Sequence, residues 1–369
     1  MGENKILQLQ GLRGLAMLGI FIFHTKTFIS DDIRPANDFI IMQFGMIGVI
    51  TFFMLSGFLF TFKMSSLPIL TWKERINECR AKFHKLYLLY ILTFLFAFLG
   101  KKVFPQNMSD WCYSFISLPF YLTFTQDLVP LVRVNISFNG PAWYISAMFV
   151  IWIIAYSFAK QMNKIKFLNT KKCLIWIFAI VGLQIIYKIF EFLFPTNLIP
   201  INHSDIYMSW ISYYSPFYNF GFFILGCIMG RLAILNKTVS IVNVYIIFIA
   251  IFLSVSLYLY FNNYYFKYFK PILMEAFISI ILLKIVSHKS YVGRLFSIKP
   301  LVWFGNISAS FFLIHGVVNY NLRYIEEYIE KPLLFIISLF ITIVLSVLSE
   351  KYLILDKNES LLQRIRKIA

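Results

Sequence analysis

Apolar positions follow one another along most of this chain in continuous runs, each about 20 residues long, and short polar segments separate them. A run of that length spans a bilayer as a helix, whereas the strands of a membrane barrel would alternate apolar and polar positions. The pattern therefore predicts an all-α polytopic membrane protein with about ten transmembrane helices. The predicted spans are about 11–29, 40–62, 86–100, 141–159, 173–194, 211–231, 239–260, 271–287, 300–320 and 333–350.

One further apolar stretch, 111–126, is shorter and contains Pro119. We interpret it as a re-entrant or interfacial segment, because a spanning helix needs more residues and tolerates proline poorly without neighbouring support. If it spanned, the orientation of every later helix would be reversed.

Basic residues give the orientation. With the N-terminus in the cytoplasm, 24 of the 34 lysines and arginines fall in cytoplasmic segments, as expected for the positive-inside bias. Both termini are then cytoplasmic, with a transmembrane domain over 1–350 and a short basic tail over 351–369. The net charge of +17 is thus a signal of topology and of contact with lipid headgroups, and nucleic acid is not an expected partner.

The first predicted span carries two titratable residues, Arg13 and His24. Eleven residues at 100° each bring their side chains to within about 20° of the same direction, roughly 16 Å apart along the axis. Ionisable groups inside a membrane are costly and indicate function by default. The alternative is that Arg13 extends to the headgroups and His24 lies at the outer interface.

Other polar positions inside predicted spans are weaker signals. His315 lies seven residues after Ser308, nearly in phase, so the pair could line a polar cavity, or His315 could be a packing residue with a hydroxyl partner. Gly226 and Gly230 in the sixth span are typical of close helix packing. Glu275 and Glu350 fall near the ends of their spans.

These segments together resemble the acyltransferase 3 family of membrane proteins. The similar parts are Arg13 followed after ten residues by His24, the stretch Gly48 to Phe58, the stretch Pro141 to Ser146, and Asn306-Ile307-Ser308 with Phe312-Leu313-Ile314-His315. The chain departs from the family pattern in three places. Gln10 stands where many members have an acidic residue. Lys82 and Lys85 stand where many have two arginines, and Leu88 replaces the proline that follows them. Ala147-Met148 stand where many have a glutamate.

The resemblance implies a bacterial plasma-membrane enzyme that transfers an acyl group, usually acetyl, from cytoplasmic acetyl-CoA to a hydroxyl of an extracytoplasmic polysaccharide such as capsule. It implies that Arg13, Lys82 and Lys85 bind the phosphates of CoA. His24 would be the general base or the acyl carrier. Trp143, Ser308 and His315 are expected to line the cavity. No metal is expected, and membrane lipid and a glycan acceptor are the expected partners.

Two other function classes fit parts of the sequence. A proton-coupled secondary transporter of a small solute or lipid-linked sugar would also use arginine, histidine and glutamate inside the membrane, although the internal repeats typical of transporters do not stand out. A purely structural membrane partner would leave the phased Arg13 and His24 without a role.

The orientation can be tested by cysteine labelling in a background without the four native cysteines. We expect Lys166 and Arg364 to be cytoplasmic and Asn262 and Glu327 to be external. A cysteine at 327 should react with an impermeant maleimide in intact cells, and one at 166 should react only after permeabilisation. Labelling at 166 in intact cells would contradict the topology.

Overall fold

The computed structural model describes residues 3–28, 34–66, 71–103, 108–157, 164–193, 210–235, 270–286 and 291–353. Regular structure within these ranges is helical and includes no β-strand, which confirms the predicted all-α class. The α-helices are α1 (Glu3–His24), α2 (Arg34–Ser66), α3 (Trp72–Val103), α4 (Met108–Thr123), α5 (Val132–Asn135), α6 (Trp143–Ser157), α7 (Thr170–Leu193), α8 (Pro216–Ile234), α9 (Lys270–Val286), α10 (Tyr291–Phe296), α11 (Lys299–Asn306), α12 (Ser308–Leu322) and α13 (Lys331–Tyr352).

Several of these helices are long and apolar enough to cross a bilayer. Among the described residues there are five, and six if the bent pair α11 and α12 counts as one span. They lie within α2, α3, α7, α8 and α13. The predicted seventh span, 239–260, and most of the predicted tail lie outside the described residues. The total of ten spans and the cytoplasmic termini stay predictions.

The chain forms two compact units whose segments alternate along the sequence. The first unit comprises Met1–Ala16, Met46–Ile69 and Phe158–Trp303, and the second comprises Met17–Gly45, Leu70–Ser157 and Phe304–Ala369. Helix α1 contributes residues to both.

Close helix packing holds α2 against α8 in the first unit. A Cβ added to Gly57 would lie 1.9 Å from the carbonyl oxygen of Phe223, and one added to Gly226 would lie 1.9 Å from that of Met54. The Thr61 hydroxyl also donates to the Cys227 carbonyl at 3.0 Å. Small residues let the two backbones meet, so the packing interpretation of Gly226 is confirmed.

A second polar contact lies deeper in the same unit. Glu275, on α9, is only 2% exposed and faces Gln184 of α7, which is 5% exposed. Neither side chain makes a hydrogen bond of ordinary geometry with another described residue. Glu275 is therefore a buried group of this unit, whereas its sequence position near the start of a span indicated only an interfacial residue.

The segment between α3 and α6, in the second unit, is a compact scaffold. Helix α4 has 16 residues, about 24 Å, and contains Pro119, so it is shorter than a bilayer core of about 30 Å. It ends at Phe124, whose φ of 56° is the left-handed conformation common just after a helix. The hydroxyl of Tyr121 donates to the Asn135 carbonyl at 2.7 Å, and the Asn135 amide donates to two further carbonyls of this loop.

The ninth predicted span, 300–320, is not one straight helix. It is broken at Ile307, where α11 and α12 are bent by 72°. The Ser308 hydroxyl donates to the Gly305 carbonyl at 2.7 Å, so a side chain takes the place of a backbone donor at the break. The prediction of a continuous helix was wrong here. A run of apolar residues does not show that a side-chain hydroxyl, that of Ser308, competes with the backbone for a hydrogen bond.

The packing of α2 on α8 predicts opposite effects for two identical substitutions. Gly226→Ala forces a Cβ into the backbone of α2 and should lower the thermal unfolding midpoint in detergent. Gly182→Ala, on α7, meets no atom within 4 Å and should be neutral or stabilising, since alanine exceeds glycine in helix propensity by up to about 1 kcal/mol. Equal midpoints for the two variants would contradict the close approach.

Candidate active site

Helix α1 is continuous from Glu3 to His24, so the predicted common phase of Arg13 and His24 holds along an unbroken helix. Arg13 is half-buried, and its Nη1 donates to Gln10 Oε1 at 3.3 Å. Gln10 is the residue that replaces the acidic residue of the family pattern. The amide of Gln10 still accepts a hydrogen bond from the guanidinium of Arg13, but, unlike a carboxylate, it does not neutralise the charge of Arg13.

The second unit brings together the histidines of α1 and α12. The ring centroids of His24 and His315 are 5.1 Å apart, and the ring planes are inclined by 56°. His24 is half-buried, whereas His315 is fully buried. The sequence singled out both residues but gave no reason to pair them. Lys26 and Arg323 lie close enough to His24 to act on it electrostatically.

Aromatic rings enclose the two imidazoles. Phe311 stacks along His315 at 6.1 Å, Phe312 lies at 5.8 Å, and Phe21 meets it edge-on at 6.5 Å. Phe23 lies edge-on to His24 at 4.9 Å. This shell keeps the local dielectric low, so hydrogen bonds and charges within it act more strongly than in water.

One hydrogen bond fixes the proton on His315. Its Nδ1 lies 3.1 Å from the carbonyl oxygen of Phe311, and a carbonyl can only accept, so Nδ1 carries the hydrogen. Nε2 then presents a lone pair, and it is buried without a hydrogen-bond partner among the described residues. An unmet buried acceptor is uncommon in proteins and indicates a place for a donor. The hydroxyl of Ser308 donates to the Gly305 carbonyl instead, so Ser308 is not a hydroxyl partner of His315.

The Pro141 to Ser146 stretch packs directly on the helix of His315. Tyr144 meets Phe312 edge-on at 5.3 Å, and the amide of Asn139 donates to the Leu313 carbonyl at 2.8 Å. A Cβ on Gly316 would lie 2.6 Å from Pro141, so glycine is needed beside the histidine. Two stretches that resemble the family therefore share one packed region. Trp143 is buried next to Tyr144.

The two lysines predicted to bind the donor differ in surroundings. The ammonium of Lys82 lies 3.9 Å from the ring centre of Trp152 and 5.7 Å from that of Tyr156, which is a cation–π arrangement. Lys85 is exposed. No group of three histidine, cysteine, aspartate or glutamate side chains that could hold a metal ion occurs in the part of the chain that the structure describes.

Sequence reasoning missed one buried carboxyl, that of Asp127. It lies in the turn after α4, is fully buried, and faces the backbone N–H of Ala147. Its own backbone N–H donates to the Ser146 hydroxyl at 3.1 Å. The sequence resemblance sets Ala147-Met148 against the glutamate of many family members, so Asp127 brings a carboxyl close to that position from a different segment. The available signal was an aspartate in an otherwise apolar stretch.

Comparisons with known proteins identify the family. The model of the acyltransferase 3 family, described as an acyltransferase domain, matches residues 6–351. The chain therefore belongs to the acyltransferase 3 family. The described residues include the long apolar helices typical of a multi-pass membrane protein.

Among curated proteins, the chain is similar to acyltransferase MdmB of Streptomyces mycarofaciens, with 28% identity over 173 residues. The match covers 44% of this chain and 41% of that relative, so it spans less than half of either protein. No solved structure matches the chain.

Burial raises the pKa of Asp127 well above its ordinary value, and the nearby backbone N–H of Ala147 offsets only part of that effect. The folded protein therefore binds this proton more tightly than the unfolded chain, whose aspartate pKa is about 3.9. Stability should fall as pH rises above about 4, until the folded pKa is passed. Asp127→Asn has no carboxyl to titrate. The difference between its thermal midpoint in detergent and that of the native protein should therefore shift in favour of the variant across this pH window and stay constant above it.

The matched control is Glu326→Gln, which removes an exposed carboxyl of the same unit. Its midpoint should follow that of the native protein at every pH. If Asp127→Asn also followed the native protein at every pH, the buried carboxyl would not be the source of the effect.

Proposed function

We propose that this acyltransferase moves an acetyl group from cytoplasmic acetyl-CoA to a hydroxyl of an extracytoplasmic cell-surface polysaccharide such as capsule. The observation that carries the proposal is the pair of imidazoles, His24 and His315, enclosed by phenylalanine rings. Transfer between a thioester and an alcohol needs a group that takes one proton and returns it, and neutral imidazole does this near pH 7.

Binding of the donor, acetyl-CoA, is assigned to basic residues that the sequence predicts to lie on the cytoplasmic side. CoA carries phosphates, and the planar guanidinium of Arg13 suits a bidentate contact with one of them. Lys82 and Lys85 would add positive charge. Because Lys82 already lies over Trp152, its ammonium would act from a fixed position, whereas the exposed Lys85 must be ordered on binding.

The chemical step is assigned to His24, the more accessible of the two histidines. As a general base, its ring nitrogen takes the proton of the acceptor hydroxyl while the oxygen attacks the thioester carbonyl carbon. The carbon–sulfur bond then breaks, the electron pair goes to sulfur, and the imidazolium returns the proton to the thiolate. As an acyl carrier, His24 instead attacks the thioester carbonyl itself, the carbon–sulfur bond breaks, and CoA leaves as its thiolate. The acceptor hydroxyl then attacks the acyl-imidazole, the carbon–nitrogen bond breaks, and the hydroxyl proton goes to the thiolate, which leaves His24 neutral again.

His315 is assigned as a positioning residue. Its Nε2 lone pair, held in place by the bond from Nδ1 to Phe311, can accept the ring N–H of His24. That hydrogen bond would leave the other nitrogen of His24 with its lone pair directed at the substrate. It would also stabilise the positive charge that develops on His24, as the third member of a catalytic triad does.

We expect His24→Gln to nearly abolish acetylation, because glutamine keeps hydrogen bonding but cannot exchange a proton near neutral pH. Loss of a general base typically costs about 10² to 10⁴ in rate, and loss of a carrier costs more. His315→Gln should lower kcat and leave KM for acetyl-CoA unchanged. His84→Gln, which alters an exposed histidine of the same unit, is the matched control. The readout is the O-acetyl content of purified glycan by proton NMR, with protein level followed by an epitope tag.

Substitutions at Arg13 test the binding of the donor independently of the chemical step. Arg13→Ala should raise KM for acetyl-CoA, and Arg13→Lys should recover part of the loss because the charge is kept. If His24→Gln left acetylation intact while export of a small solute failed, the enzyme assignment would be wrong and the transporter hypothesis would replace it. Normal activity in Arg13→Ala would leave that residue a role only at the headgroups.

A further inference from the structure

A long groove runs between α7 and α8 in the first unit. Its volume is about 810 Å³, within the range of sites that hold small ligands. Helix α7 lines it with Lys172, Trp176, Ile180 and Gln184, which recur every fourth residue and so lie on one face. Hydrogen bonds tie each helix to the segment that precedes the other. Arg231 of α8 donates to the Leu168 carbonyl before α7, and Tyr187 of α7 donates to the Ile211 carbonyl before α8.

The length of the groove matches one leaflet of a bilayer. From Lys172 to Gln184 is twelve helical residues, about 18 Å at 1.5 Å per residue. Half of a hydrocarbon core of about 30 Å is about 15 Å. A groove of this length that begins at the headgroups would reach near the middle of the membrane.

Among the described residues that line the groove, the charged side chains lie at one end. Lys164 and Lys172, both exposed, line that end, and Arg231 lies beside it through its 3.0 Å bond to Leu168. These residues belong to segments that the positive-inside pattern places at the cytoplasmic face. Two basic side chains at this level attract anionic headgroups and hold a phosphate with several donors.

The wall beyond the lysines is apolar. It is formed mainly by aromatic and aliphatic side chains, among them Trp176, Leu183, Phe217, Ile224 and Ile228. Leu183 is 67% exposed and Phe217 is 62% exposed, so one side of the groove is open to the outside of the helix pair. A basic end followed by an apolar wall is complementary to an anionic amphiphile and not to a soluble anion.

We propose that this groove is a binding site for an anionic phospholipid of the cytoplasmic leaflet. Its phosphate contacts Lys164 and Lys172, and one acyl chain lies along α7 and α8 as far as Gln184. The site belongs to the first unit, is separate from the residues assigned to acyl transfer, and does not depend on the proposed reaction.

Lipid binding to the purified full-length protein tests the site, measured by native mass spectrometry with phosphatidylglycerol and phosphatidylcholine of the same chains. The native protein should bind phosphatidylglycerol more tightly. Lys172→Gln should weaken that binding, and the double variant Lys164→Gln, Lys172→Gln should weaken it on the order of tenfold, with little change for phosphatidylcholine. Lys171→Gln removes the same charge from the neighbouring exposed position outside the groove, and it should bind as the native protein does.

Leu183→Trp tests the apolar wall, because a larger ring in the open side of the groove should weaken both lipids without altering charge. Three results would overturn the proposal. They are equal affinity for the two lipids in the native protein, equal loss in Lys171→Gln and Lys172→Gln, and competition by glycerol phosphate as strong as that by the whole lipid. Thermal unfolding without added lipid shows whether each variant is folded.

Discussion

The hydrogen bond between His315 Nδ1 and the carbonyl of Phe311 is the interaction on which the rest of the site depends. Inside a membrane protein a buried polar atom is expensive unless it has a partner, and this bond satisfies one nitrogen of a fully buried ring. It thereby leaves the other nitrogen as an acceptor with no described partner. An imidazole held in this way is a fixed acceptor for a neighbouring N–H, and the ring 5.1 Å away is that of His24.

The surrounding architecture keeps that pair in place. Phe311 both accepts the bond and stacks on the ring, so the same residue sets the tautomer and the orientation of His315. Asn139 and Pro141 press on α12 beside the histidine, and Gly316 provides the space for that contact. The loop that carries Asn139 is in turn held by the Tyr121 and Asn135 hydrogen bonds. The ring of His315 on the apolar helix α12 thus has a defined position, because the loop that carries Asn139 and Pro141 holds this helix from outside.

Much of the architecture was predictable from the sequence, because helices in lipid must be long and apolar and their flanking charges are biased. The common phase of Arg13 and His24 followed from helix geometry alone. The pairing of His24 with His315 did not, since the two residues lie near opposite ends of the chain and only packing brings them together. The break at Ile307 was missed because a local hydroxyl competes with the helix backbone there. Asp127 was missed because it lies in a turn, far in sequence from Ala147-Met148, the position that the resemblance sets against the glutamate of many family members.

Chemical rescue is the most direct measurement of the claim that imidazole chemistry at His24 carries acyl transfer. Purified protein in proteoliposomes would be supplied with labelled acetyl-CoA on the cytoplasmic side and glycan acceptor on the other. We expect His24→Ala to slow transfer by about 100-fold or more and added imidazole to restore part of the rate, with no such gain for His84→Ala. Transfer by His24→Ala at the native rate, with imidazole without effect, would contradict it.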